Sequence, residues 1–116
     1  MGPEGHLVDI KTLDPVMAST LKAAMTGRPR AQVWQLTTDL MMGGGYPPGA
    51  YLIVDPDAHP KMGGDRVLAE QDGRPIFRLY CMPLLFALPP LGRVHPSIIA
   101  DGFQVVIKGV VIGHHG

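Results

Sequence analysis

The chain has 116 residues, 46% of them apolar and only 17% charged, and its ten basic residues are cancelled by ten acidic ones. That length fits one domain with one core, and the cancelled charge leaves no basic face for gripping nucleic acid by its phosphates. Fifteen glycines and twelve prolines, without a collagen period or low-complexity tract, favour a turn-rich β fold over a helical bundle.

Residues 1–13 read as a lead-in in which Leu7, Val8 and Ile10 form a short edge strand. Asp14 is a helix N-cap, Pro15 suits the first helical position, and Val16, Met17, Leu21, Ala24 and Met25 recur at helical spacing. Gly27 and Pro29 end the helix, which is predicted over 15–26. Arg28 and Arg30 read as its solvated end. Residues 31–37 alternate with both faces mixed, the pattern of a strand covered on two sides. The run from Met41 to Gly49 is a Gly- and Pro-rich bend, with Met41-Met42 as gap-fillers beneath it. Ala50–Val54 is a short strand stopped by Asp55-Pro56. After a loop over 57–65, Arg66–Gln71 and Ile76–Cys81 form a hairpin about Asp72-Gly73. Pro83 separates a further short strand at Leu84–Leu88, and residues 89–96 form an extended loop. Asp101-Gly102 turns the chain into the last and longest apolar strand, Phe103–Ile112, where Gly109 marks a bulge or a close backbone approach. His114-His115 is a tail. The expected architecture is mainly β: one N-terminal helix, then six or seven short strands in a partly closed antiparallel structure. Residues 1–30 are the lead-in and helix, and 31–116 the β domain, together one globular unit.

Several chemistries lack their residues. No H-x-x-x-H or C-x-x-C pairing is present, so neither a metal nor a cofactor is expected. Gly43-Gly44-Gly45 lacks the lysine and the helix of a phosphate loop. Asp39, Asp55, Asp57 and Asp65 read as turn residues rather than paired catalytic carboxylates. Ser19 and Lys22 match an S-x-x-K pattern, but on an exposed helix face and without the companion motifs that pattern needs. Cys81, the sole cysteine, excludes an intrachain disulfide, fits a reducing compartment and reads as a small buried residue. No signal-peptide pattern opens the chain, and no apolar run approaches the ~20 residues of a membrane helix. A cytoplasmic chain without membrane contact is the expectation.

The order of segments resembles the C-terminal domain of LexA and phage CI-type repressors, a family that includes UmuD and shares the signal-peptidase β fold. Ala31 to Leu36 looks like the family's A-x-A-L-x-V strand. Thr38-Asp39-Leu40-Met41 stands where G-D-S-M would be, and Pro48 to Pro56 resembles P-x-G-D-x-x-L-V-D-P. Gly64 to Ala69 resembles G-D-x-V-x-A, Phe77-Arg78-Leu79 the K-R-L segment, Leu84 to Pro96 the L-x-P-L-N-P loop, and Val105 to Val111 the closing strand. Active members cleave their own chain with a serine deprotonated by a desolvated, neutral lysine. Here the serine position falls on Leu40. The lysine position falls on Phe77, or on Arg78 with a hairpin one residue shorter, and arginine stays protonated in proteins. The family's Ala-Gly or Cys-Gly target is absent upstream as well. The resemblance therefore implies a pseudo-peptidase in which Leu40 and Phe77 face each other and fill the old cleft by packing.

The resemblance also implies assembly. Such domains pair through their C-terminal region, which puts Phe103, Val105, Ile107, Val110 and Ile112 forward as a homodimer or higher-oligomer interface, provided that strand is an edge. Operator DNA would be met only through an N-terminal helix-turn-helix outside this chain, and induction without self-cleavage would need an antirepressor protein. Two further readings stay open: an active Ser-Lys peptidase of the same fold, and a free-standing protein-binding module that pairs with a repressor.

Overall fold

The computed structural model describes residues 3–61, 65–81, 84–88 and 105–115, and the backbone of Ile98 and Ile99. The expected turn at Asp101-Gly102, the Pro83 break, the loop over 89–96 and Phe103 lie outside the described residues. The chain forms one antiparallel sheet of eight strands: β1 (Gly5–Val8), β2 (Gln32–Leu36), β3 (Tyr51–Asp55), β4 (Arg66–Gln71), β5 (Arg74–Cys81), β6 (Leu84–Phe86), β7 (Ile98–Ile99) and β8 (Val105–His115). The spatial order is β1-β2-β3-β8-β4-β5-β6-β7, an open sheet and not a closed barrel. Seven strands follow the helix, as many as expected, and β1 is the short edge strand expected in the lead-in.

One helix, α1 (Pro15–Ala24), covers one face. Asp14 caps it, its Oδ2 accepting from the N–H groups of Val16 and Met17 at 3.1 and 3.3 Å. Leu21 is fully buried against Val33 of β2 and Ile53 of β3, which are register partners. The opposite face of these same strands carries Trp34, Leu36, Leu52 and Val54 into the largest core cluster, with Met41, Tyr46, Leu68, Phe77 and Val111. The mixed faces of β2 and β3 thus mark strands buried on both sides. A third cluster, of Val67, Ala69, Ile76, Leu85, Val105 and Val110, lies behind β4, β5 and β8.

The β4–β5 hairpin closes through Asp72 and Gly73 at φ 52° and 80°, the two positive dihedrals of a type I′ turn. Strand β8 lies inside the sheet, not at its edge. Its first half, Val105–Val110, pairs with β4, and its second half, Val110–His115, pairs with β3. The register slips once in each half, between the partners of Leu68 and Ala69 and between those of Ile53 and Val54. A bulge bends and twists a strand, so β8 serves two half-sheets that point in different directions. Gly109 sits where they part. A Cβ there would lie 2.6 Å from Val54 Cγ1 and 3.1 Å from the Asp55 carbonyl oxygen. Both expectations for Gly109, a bulge and a close approach, hold. The expected histidine tail is instead the end of β8, with His114 opposite Leu52 and His115 opposite Tyr51.

Candidate functional site

The positions singled out by the peptidase pattern lie around the bend after β2 and the middle of β5. The Phe77 side chain is 1% exposed, sits edge-on to Trp34 (ring centroids 6.0 Å apart, 74° between planes) and packs in the main core cluster. Burying a phenylalanine contributes about 1.5–3 kcal/mol, and an edge-on aromatic contact adds about 0.5–1.5 kcal/mol. Leu40 does not meet the expectation of a buried partner for Phe77. It is half-buried and outside that cluster, while its neighbour Met41 is wholly buried within it. The cause is the backbone. Leu40 accepts from the Leu88 N–H at 2.6 Å and donates its own N–H to Thr38 Oγ1, so it is pinned at the rim and Met41 turns inward. Met42, by contrast, is exposed.

Arg78 is 6% exposed, and its charge is answered by Glu4, which is 5% exposed. Arg78 Nη1 donates to Glu4 Oε1 at 2.5 Å and Nη2 to Oε2 at 2.9 Å, a two-pronged pair. The Phe77 N–H also donates to Glu4 Oε1, at 3.1 Å. The main chain of Glu4 completes a clamp: its N–H donates to the Pro75 carbonyl at 3.1 Å, and its carbonyl accepts from Thr37 N–H at 2.8 Å. One residue of the lead-in therefore bridges the end of β2 and the start of β5, across the curl of the open sheet. A glutamate in an irregular lead-in gives no hint of this role. The available signal was Arg78 itself, a lone charge between Phe77 and Leu79 in an apolar strand, which needs a buried partner.

Other charged residues are less free than expected. Arg28 and Arg30 are not merely a solvated helix end. They donate to Asp55 Oδ2 and Asp57 Oδ1, both at 2.7 Å, and tie the end of α1 to the end of β3. The N–H of Asp57 and then the Arg28 guanidinium hold the Asp55 carboxyl below the usual carboxylate range. The Arg66 guanidinium lies over the Tyr46 ring, 5.2 Å from its centre, with Nη2 donating to the Gly44 carbonyl. Burial pushes the Tyr46 phenol up, and that ring leans on His114. Cys81 is half-buried at the end of β5 rather than in the core. Ser19 and Lys22 both face solvent on α1.

Of the residues expected at a protomer interface, Val105 and Val110 are 3% and 4% exposed, and Ile107 and Ile112 pack against the same cluster. An internal strand turns these side chains into the protein's own interior. Among the described residues of this stretch, Val106 is the exposed large apolar one. No protein-family model matches the chain, and no curated protein matches it. A groove of about 320 Å³ lies at the end of the sheet away from the Leu40 bend. Trp34 and Leu68 lie in its apolar part, and Arg30, Glu70 and Lys108 at its charged positions. No helix among the described residues is long and apolar enough to cross a membrane.

Proposed function

We propose that the chain is the assembly domain of a transcriptional repressor of the LexA or phage CI type, with a retired self-cleavage site. The observation that carries this reading is the filled base position. Where a neutral lysine would have to stand, there is either Phe77, packed on Trp34, or Arg78, bound to Glu4. A guanidinium held by a carboxylate keeps its proton and cannot serve as a base. Leu40, at the nucleophile position, has no atom that can attack a carbonyl. The order of strands and bends along the chain accords with the resemblance, and the clamp gives the former cleft a structural use.

The mechanism is pairing. Two copies would hold two DNA-reading modules, carried elsewhere, on two half-sites, and the second contact would then form at high effective concentration. The sheet's edges are β1 and the two-residue β7, not β8, and of these β1 is the longer and carries Leu7, which is 55% exposed. An edge strand with an exposed apolar side chain is an open template for a second copy, so the dimer contact is assigned to β1. Sedimentation over a concentration series tests it: a monomer–dimer equilibrium is expected, shifted to monomer by Leu7→Lys. A strict monomer at high concentration overturns the reading. So does the appearance of fragments on alkaline incubation, which would return the active peptidase to first place.

A further inference from the structure

We propose that the groove beside the first half of β8 binds an extended peptide of a partner protein, one that adds as a strand and carries an apolar side chain two residues from a carboxylate. The proposal is separate from the repressor reading and from the Leu40 bend. It begins with the sharing of β8 between two half-sheets. Strand β3 accompanies β8 only from Val110 onward. At Asp55-Pro56 it ends in a turn, with Ala58 N–H on the Asp55 carbonyl, and proline has no N–H with which to continue a ladder. Among the described residues, Val105 to Gly109 therefore have β4 on one side and no strand on the other. That side is an open edge.

The groove lies along this gap. Pro56 and Lys108 line it together, with Leu68 and Glu70 on the β4 side and Trp34 on the β2 side. Its volume is at the low end for ligand pockets, room for roughly two or three side chains rather than a folded surface. Alternate residues of an added strand point the same way, so two side chains of one peptide enter the groove two positions apart. One meets the Trp34 and Leu68 surfaces. The other meets charge. Lys108 is exposed and has no ion pair among the described residues, while Arg30 is held only by an exposed pair with Asp57. Glu70 disfavours a second carboxylate on the β4 side. The favoured peptide therefore places its apolar side chain over Trp34 and its carboxylate at Lys108.

Trp34 is the only tryptophan in the chain, so its fluorescence reports on the groove directly. The probe is the acetylated peptide Thr-Val-Leu-Val-Asp-Val-Thr, compared with versions carrying lysine for aspartate or proline at the centre. A saturable change is expected with the first, at least tenfold weaker with the other two. Lys108→Glu in the protein should weaken the aspartate peptide at least tenfold and strengthen the lysine peptide. Amide exchange should slow between Val105 and Gly109 when the aspartate peptide is bound. The proposal is overturned by no saturable signal up to about a millimolar, by affinity indifferent to charge or to proline, or by protection that falls on β1 instead.

Discussion

Removing Glu4 should cost more than any other single change near the start of the chain. Its carboxylate accepts three hydrogen bonds, from Phe77 N–H and from Nη1 and Nη2 of Arg78. In Glu4→Ala the guanidinium, its side chain 7% exposed, keeps the Phe77 carbonyl at 2.7 Å, but nothing of opposite charge. A buried charge stripped of its partner costs about 3–5 kcal/mol, and a buried amide left without an acceptor about 1–3 kcal/mol. Both losses come from one carboxylate and overlap, so the expected total stays near 3–5 kcal/mol. A domain of this size holds about 5–15 kcal/mol and loses about 1–3 kcal/mol per molar urea. The urea midpoint should therefore fall by about 2 M with unchanged slope. The double variant Glu4→Met with Arg78→Met removes both of the buried charges, takes from the more exposed Arg74 only its 3.9 Å contact with Glu4, and should recover to within about 2 kcal/mol of the parent. A loss below about 1 kcal/mol in Glu4→Ala, or single losses that simply add in the double variant, would refute the clamp.

Three further outcomes follow from the packing and the charges. Met41→Ala should cost about 2–5 kcal/mol, as a wholly buried truncation does, and Leu40→Ala clearly less; equal losses by thermal unfolding would return Leu40 to the core. Gly109→Ala should destabilise by about 1–3 kcal/mol, because the new methyl meets the Asp55 carbonyl as well as Val54, and only the valine can be trimmed away. Val54→Ala in that background should show at most partial recovery of the melting temperature. The Asp55 carboxyl has a lowered pKa in the folded protein, so its contribution is present above the ordinary aspartate value of about 3.9 and is lost as pH falls through the folded value. Asp55→Asn should therefore lower stability at neutral pH and flatten the stability profile below about pH 4; an unchanged acid limb in a pH series of urea melts would contradict this.

Much of the local structure was legible because its causes are local. Asp14 and Pro15 start a helix, Asp72-Gly73 turns a hairpin, and the mixed faces of 31–37 mark a strand covered twice. The placement of β8 was not legible in the same way. Its apolar run, interrupted at Lys108, is close to what a strand buried on both faces shows, yet the same run suits an exposed sticky edge, and strand order is decided by pairings tens of residues apart. The candidate site divides similarly. Phe77 fell in the core as its apolar neighbours suggest, but Met41, not Leu40, joined it, because a hydrogen bond to Leu88 sets which way the bend turns. Glu4 went unread, since its partner lies 74 residues away and no periodicity connects them.

The two half-sheets are joined by β8 and, across the curl, by the Glu4 clamp, so the residues that unite them lie near opposite ends of these 116 residues. A ribosome making this chain releases β1 to β3 and β4 to β5 well before β8 exists. Until β8 emerges, β3 and β4 each lack a partner on one side, and the pairs to be closed lie 34 to 64 residues apart. Contacts this distant in sequence form slowly, and unpaired strands waiting for them are prone to associate wrongly. The nascent domain should thus be a strong client for holding chaperones, and its folding should be set by the arrival of β8, which joins β3 to β4.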